Sequence, residues 1–195
     1  MTLATQITLF RILLIPVFIG CLLYYYESSK QGAVQDLYRI AAVVVFLVAS
    51  ISDAVDGYIA RHFNQRSQLG AILDPLADKA LLLSAIITLS FVQVEGLGKL
   101  PLWFLVLVLS RDAILVAGFV CLHLFTRHIK VRPHWSGKLS TFLQMAAVSI
   151  LLLKLSAFPL QLVVIAAGLF TAISLVIYLV RGIRSMVDSG YAHPE

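Results

Sequence analysis

The sequence predicts an all-α integral membrane protein, built as a bundle of six transmembrane helices. Of its 195 residues, 60% are hydrophobic, and the mean hydropathy is +0.94. Soluble domains are typically about 45–50% apolar, so few soluble cores could bury this excess. The apolar residues form continuous runs of about 20, the length of a membrane helix, and do not alternate as barrel strands do.

Each of the six apolar runs is interpreted as a helix, because only helices and closed barrels satisfy the backbone inside lipid. The first carries Arg11, lacks a small-residue cleavage site and continues as a span, which argues against a signal peptide. The fourth carries Arg111 beside Asp112. No room is left for a soluble domain, so a single domain over residues 1–195 is expected. The predicted spans are residues 8–26, 37–60, 71–92, 102–125, 139–155 and 160–180.

Positive charge predicts the orientation of the bundle. The net charge is +5, and most lysines and arginines fall in the loops of one side. The positive-inside rule therefore places both termini and the loop at 61–70 in the cytoplasm, and the protein in a bacterial inner membrane. Nucleic-acid binding is not expected, because no basic stretch is interleaved with exposed aromatic residues. The basic residues of the cytoplasmic side are Arg61, Arg66, Arg127, Lys130, Arg132, Lys138, Arg181 and Arg184.

Four aspartates fall in one window that bridges the second and third spans. Asp53 and Asp56 are three residues apart, and Asp74 and Asp78 are four apart, so each pair shares one face of a helix. The short connection between the helices would bring the two pairs together near the cytoplasmic surface. Charged groups are costly in a bilayer and mark functional sites, and hard carboxylate oxygens suit Mg²⁺ or Mn²⁺.

This window resembles the signature of the CDP-alcohol phosphotransferases. Residues 53–61 read Asp-Ala-Val-Asp-Gly-Tyr-Ile-Ala-Arg, and residues 70–78 read Gly-Ala-Ile-Leu-Asp-Pro-Leu-Ala-Asp. All eight fixed positions of the pattern D-x2-D-G-x2-A-R-x8-G-x3-D-x3-D are present at the family spacing. The six-span layout is also similar to the family along nearly the whole chain. The resemblance implies a membrane transferase that uses CDP-diacylglycerol, sits among membrane lipids and forms a homodimer.

The resemblance also implies a role for each matching residue. Asp53, Asp56 and Asp74 would hold two metal ions, and Asp78 would complete the shell or act as general base towards the acceptor hydroxyl. The residues that would line the CDP pocket are Asp53, Gly57, Ala60, Arg61 and Gly70.

Three cations outside the signature are candidates for binding the acceptor alcohol. Arg111 lies inside the fourth span, and Arg132 and Lys138 lie at the cytoplasmic edge of the fifth. Together they would suit a small phosphorylated acceptor such as glycerol 3-phosphate. The alternative interpretation is that Arg111 pairs with Asp112, and that the other two anchor the protein in lipid headgroups.

The acceptor itself is open between two interpretations. Residues 73–79 and 137–144 resemble phosphatidylglycerolphosphate synthases, which favours glycerol 3-phosphate. Residues 64–67 and 110–112 are more similar to CDP-diacylglycerol-dependent cardiolipin synthases, whose acceptor is phosphatidylglycerol. A remote alternative is a cation transporter, although transport sites tend to lie at the midplane and these acids lie at helix ends.

Overall fold

The computed structural model describes most of the chain. The backbone is described for residues 3–32, 34–62, 68–93, 97–125, 135–155 and 160–190. Side chains are described for residues 6–32, 34–52, 76–93, 97–118, 135–155 and 160–181.

The described chain folds into six α-helices, which confirms the predicted all-helical class. The fifth helix begins four residues before the start of its predicted span. The sixth helix ends at Gly190, beyond the end of its own predicted span at residue 180. The helices are α1 Leu3–Lys30, α2 Asp36–His62, α3 Gln68–Phe91, α4 Leu102–Phe125, α5 Trp135–Leu152 and α6 Leu160–Gly190.

The helices divide between two compact units. One comprises Met1–Leu100 with Val148–Phe158, and the other comprises Pro101–Ala147 with Pro159–Glu195. The expectation of a single domain over residues 1–195 stays a prediction.

The first unit is built on α1, which packs against both α2 and α3, while α2 also contacts α3. Its core is apolar and includes an aromatic pair, Phe18 and Phe46, whose ring centroids are 5.8 Å apart. The buried side chains of this core include Phe18, Leu22, Ala42, Phe46, Ala49, Ile86 and Leu89.

The second unit is built on α6, which packs against α4. Gly168 permits this contact, because a Cβ at that position would lie 2.7 Å from Cζ3 of Trp103. Real Cβ atoms do not approach carbon so closely, so the Trp103 ring can pack against α6 at this point because residue 168 has no side chain. A buried hydrogen bond between Ser140 and Thr171 joins α5 to α6 in the same unit.

The end of α5 is closed by a Schellman motif. The N–H of Leu155 donates to the carbonyl of Ile150, and the N–H of Lys154 donates to the carbonyl of Leu151, both at 3.1 Å. Lys154 takes the left-handed position at φ 51°, where glycine is usual. The helix therefore ends at Leu152, three residues before the predicted end of the fifth span.

An ion-pair cluster joins this helix end to the start of α2 within the first unit. Oδ1 of Asp36 accepts hydrogen bonds from Nε of Arg39 at 3.0 Å and from Nζ of Lys154 at 3.3 Å. Arg39 also donates from Nη1 to the carbonyl of Leu152 at 2.9 Å, which satisfies an orphan acceptor of the last helical turn. The hydrogen bonds from Arg39 and then Lys154 hold the pKa of Asp36 below the usual aspartate value.

Two of the described helices are long and apolar enough to cross a membrane, over Gln6–Lys30 of α1 and Leu160–Arg181 of α6. The prediction of six spans has this support for two helices. For the other four it stays a prediction, as does the cytoplasmic position of the site.

Candidate active site

The predicted metal ligands lie on two helices of the first unit that contact each other. Asp53 and Asp56 fall in the last three turns of α2, and Asp74 and Asp78 fall in the first three turns of α3. The backbone spacing therefore agrees with one pair of carboxylates on each helix. Asp78 has a described side chain, which is half-buried. The side chains of the other three aspartates lie outside the described residues.

The same limit applies to the predicted CDP pocket. Gly57, Ala60 and Arg61 belong to the helical backbone of α2, and Gly70 belongs to that of α3, with side-chain environments outside the described residues. Among the side chains that are described, no group of three or more His, Cys, Asp or Glu forms a candidate metal site. Convergence of the four carboxylates thus stays a prediction.

Arg111 is a buried cation on α4 in the second unit. Its Nη1 donates to Oδ1 of Asp112 at 2.6 Å, and its Nη2 lies 3.4 Å from Oγ of Ser174 on α6. The pairing with Asp112 that the sequence left open is therefore present. Nε of Arg111 is buried and has no hydrogen-bond partner among the described residues. Arg111 also lines the adjoining pocket, and its five N–H groups exceed what Asp112 and Ser174 accept, which leaves donors for a ligand.

Gly137 on α5 provides the space for this guanidinium. A Cβ at Gly137 would lie 3.0 Å from Nη2 of Arg111, 3.4 Å from Oγ of Ser174 and 3.7 Å from the hydroxyl of Tyr178. The first distance is tighter than ordinary van der Waals contact, so a side chain here would displace the arginine. Helices α4, α5 and α6 consequently come together around the Arg111 guanidinium, and α5 contributes a glycine to this contact.

A pocket of about 370 Å³ opens beside Arg111. Its polar lining combines the Arg111 guanidinium with Lys138, an exposed residue at the start of α5, and with Tyr178 of α6. Cationic groups and hydroxyl donors of this kind bind phosphate and other small anions. Two of the three predicted acceptor cations therefore share one pocket, while Arg132 lies outside the described residues. The lining residues are Arg111, Gly137, Lys138, Thr141, Phe142, Met145 and Tyr178.

Sequence reasoning did not include Ser174 and Tyr178, although a signal was available. Thr171, Ser174 and Tyr178 follow one another at spacings of three and four residues, so they share one face of an otherwise apolar helix. A polar stripe on a helix of this kind indicates a side that faces protein or a wet cavity.

Most of the chain resembles a known protein family. It matches the CDP-alcohol phosphatidyltransferase family over residues 1–179, which include the entire aspartate window and the pocket of the second unit. The chain belongs to this family. The resemblance drawn from the signature is confirmed, and with it the expectation of a transferase.

The chain is similar in sequence to several named proteins over most of their lengths. The chain is 38% identical over 189 residues to a probable phosphatidylglycerophosphate synthase of Mycobacterium tuberculosis, covering 94% of this chain and 83% of the relative. It is 35% identical over 181 residues to a CDP-diacylglycerol–glycerol-3-phosphate 3-phosphatidyltransferase of Bacillus subtilis, covering 88% and 90%. A protein of the same name from Rickettsia typhi is 39% identical over 153 residues, covering 77% and 76%.

Proposed function

We propose that this enzyme transfers a phosphatidyl group from CDP-diacylglycerol to glycerol 3-phosphate, giving phosphatidylglycerolphosphate and CMP. The observation that carries the proposal is that relatives named for this reaction, or as probable phosphatidylglycerophosphate synthases, match 77–94% of the chain. This favours glycerol 3-phosphate over phosphatidylglycerol, the acceptor of the cardiolipin synthase alternative. A cation transporter has no support among these relatives.

The pocket of the second unit supports a phosphorylated acceptor. Arg111 is held by Asp112 and Ser174, so its guanidinium is oriented before a ligand arrives. Lys138 adds an exposed ammonium group in the same pocket, and its charge is not offset by the Arg111–Asp112 pair. A phosphate monoester would gain charge-assisted hydrogen bonds from both cations. We include Arg132 in the same role on the sequence prediction alone.

The predicted metal centre fits the residues present. Asp53, Asp56, Asp74 and Asp78 offer only hard oxygen donors, the set that Mg²⁺ and Mn²⁺ prefer, and they lie on helices in contact. Two ions held there would neutralise the pyrophosphate of CDP-diacylglycerol and the charge that develops on departing CMP.

The chain's own residues would complete the reaction. Gly57, Ala60, Arg61 and Gly70, with Asp53, would bind the CDP group, and the small side chains among them would allow it to approach the helix backbone. Asp78 would accept the proton of the acceptor hydroxyl as that oxygen attacks the phosphorus bearing the lipid. CMP then leaves, and no covalent intermediate on the protein is required.

We also propose that all six helices cross a bacterial inner membrane, that both termini are cytoplasmic, and that the enzyme is a homodimer. Arg11 and Arg111, each within a long apolar run, are both buried in protein, as intramembrane arginines usually are. Every helix also exposes large apolar side chains that lipid would cover. Examples, one from each of α1 to α6, are Leu13, Leu37, Phe91, Val116, Trp135 and Leu169.

The test is release of CMP from CDP-diacylglycerol by purified protein with Mg²⁺ and glycerol 3-phosphate. We expect release from the wild type, and none from Asp78→Asn, which removes the base while keeping the side-chain volume. Circular dichroism should show that the variant keeps its helical content. An Asp78→Asn enzyme that still turns over would remove Asp78 as base. A folded wild type that releases no CMP would contradict the proposed reaction.

A further inference from the structure

A fully buried polar network links α5 to α6 in the second unit. Oγ of Ser140 and Oγ1 of Thr171 are 2.6 Å apart, and Nε2 of Gln144 donates to them at 3.1 Å and 3.0 Å. Thr171 gives its own proton to the carbonyl of Ala167 at 2.6 Å, so Ser140 is the donor to Thr171. The donated hydrogens therefore run from Gln144 through the two hydroxyls to the α6 backbone, while Oε1 of Gln144 has no partner among the described residues.

The network lies one helical turn from the cation pocket, on the same two helix faces. Gly137 precedes Ser140 by three residues, and Ser174 follows Thr171 by three. The missing side chain of Gly137 faces Ser174 and Arg111. The hydrogen bonds of the network therefore hold α5 against α6 one turn away from the point where Gly137 and Ser174 surround the guanidinium.

The pocket depends on how α5 lies against α6. Arg111 bonds to Asp112 on its own helix and to Ser174 on α6. Lys138, by contrast, belongs to α5, which meets the guanidinium at a glycine. A shift of α5 along α6 would therefore move Lys138 relative to Arg111 and move Gly137 away from the guanidinium. A buried network with several mutually dependent bonds resists such a shift, since sliding would leave polar groups unsatisfied away from water.

We propose that Ser140, Gln144 and Thr171 are positioning residues, which fix α5 on α6 so that Lys138 and Arg111 converge on the phosphate of the acceptor. This inference rests on the proposed function, in which the acceptor is glycerol 3-phosphate. None of the three lines the pocket, so they act through the helices that carry the pocket residues.

The test compares Thr171→Val with Thr171→Ser. Valine keeps the shape of threonine and removes the hydroxyl, whereas serine keeps the hydroxyl. We expect Thr171→Val to raise the KM for glycerol 3-phosphate by roughly three- to tenfold, the range that loss of a buried interhelical hydrogen bond supports. The KM for CDP-diacylglycerol should stay within about twofold of the wild-type value, because the network lies beside the acceptor pocket. Thr171→Ser should restore the acceptor KM.

Thr88→Val is the matched control. Thr88 is also a buried threonine that donates to the carbonyl four residues earlier, that of Ser84, but it lies on α3 in the first unit. Its variant loses the same intrahelical bond, and we expect no change in the acceptor KM. Should Thr171→Val fail to fold, Ser140→Ala interrupts the network from α5 and should raise the same KM.

Three outcomes would overturn the inference. An unchanged acceptor KM in both Thr171→Val and Ser140→Ala would show that the network does not position the pocket. An equal rise in the KM values of donor and acceptor, not reversed by serine, would show a general structural role. A folded wild type that does not use glycerol 3-phosphate would remove the proposed function, and this inference with it.

Discussion

Arg111 shows how one residue can serve both interpretations that the sequence allowed. It pairs with Asp112 at 2.6 Å, as a structural arginine does, and it also lines a pocket with Lys138. The Asp112 carboxylate offsets the cost of burying the guanidinium, while the N–H groups that Asp112 and Ser174 do not use leave donors for a ligand. The sequence predicted that Arg111 and Lys138 act together, with Arg132, because the three cations would suit a small phosphorylated acceptor. It did not indicate that Gly137 adjoins Arg111, because contacts between helices are not readable from spacing within one helix, whereas the polar stripe on α6 could have indicated Ser174.

We predict that Gly137→Ala weakens acceptor binding. The new methyl would lie 3.0 Å from Nη2 of Arg111 and 3.4 Å from Oγ of Ser174, so the guanidinium must shift and its contact with Ser174 is disturbed. We expect the KM for glycerol 3-phosphate to rise by roughly fivefold, equivalent to about 1 kcal/mol, the cost of a displaced rotamer.

Gly118→Ala on α4 is the control, because a Cβ there would meet nothing within 4 Å. It should leave the acceptor KM at the wild-type value. Equal KM values for Gly137→Ala and wild type would show that Arg111 needs no space beside α5.

At the scale of elements, the helices were predictable and their ends were not. Runs of apolar residues located all six helices, although the described residues of only two are long and apolar enough to cross a membrane. The end of α5 depends instead on Lys154, which takes a left-handed conformation that its residue type does not favour. Its ion pair with Asp36, 118 residues earlier in the sequence, supports this position, and sequence spacing gives no hint of such a contact.

We predict that Lys154→Gly is more stable than Lys154→Ala by about 1 kcal/mol. Both variants lose the ion pair with Asp36, so their difference reports the backbone cost of a left-handed residue with a Cβ. Denaturant unfolding in detergent would measure the free energies. If the alanine variant is as stable as the glycine variant, the Schellman geometry assigned to α5 is wrong.

At the scale of the whole molecule, the signature of residues 53–78 predicted the family, and the match over residues 1–179 confirmed it. Motif spacing is informative here because metal and nucleotide chemistry demand particular residue types at particular turns of a helix. The division of the helices into two units was not predictable, because hydropathy does not specify which helix faces pack together.

Stability of the protein should fall in acid partly through Asp36. Its pKa is lowered in the folded state, so the stability it contributes is present above the unfolded pKa and is lost as pH falls through the lower, folded value. We predict that wild type is more stable than Asp36→Asn at neutral pH, and that the difference shrinks below about pH 4, the ordinary range of aspartate. Thermal unfolding at several pH values measures this. A difference that does not change with pH would show that the Asp36 cluster adds no ionic stability.

The most direct test of the central claim is the identity of the lipid product. Purified protein with CDP-diacylglycerol and Mg²⁺ would be given glycerol 3-phosphate in one reaction and phosphatidylglycerol in another, and lipids would be identified by mass spectrometry. We predict phosphatidylglycerolphosphate, one molecule per CMP released, in the first reaction and no new lipid in the second. Cardiolipin from phosphatidylglycerol, with no product from glycerol 3-phosphate, would contradict the account and make the enzyme a cardiolipin synthase.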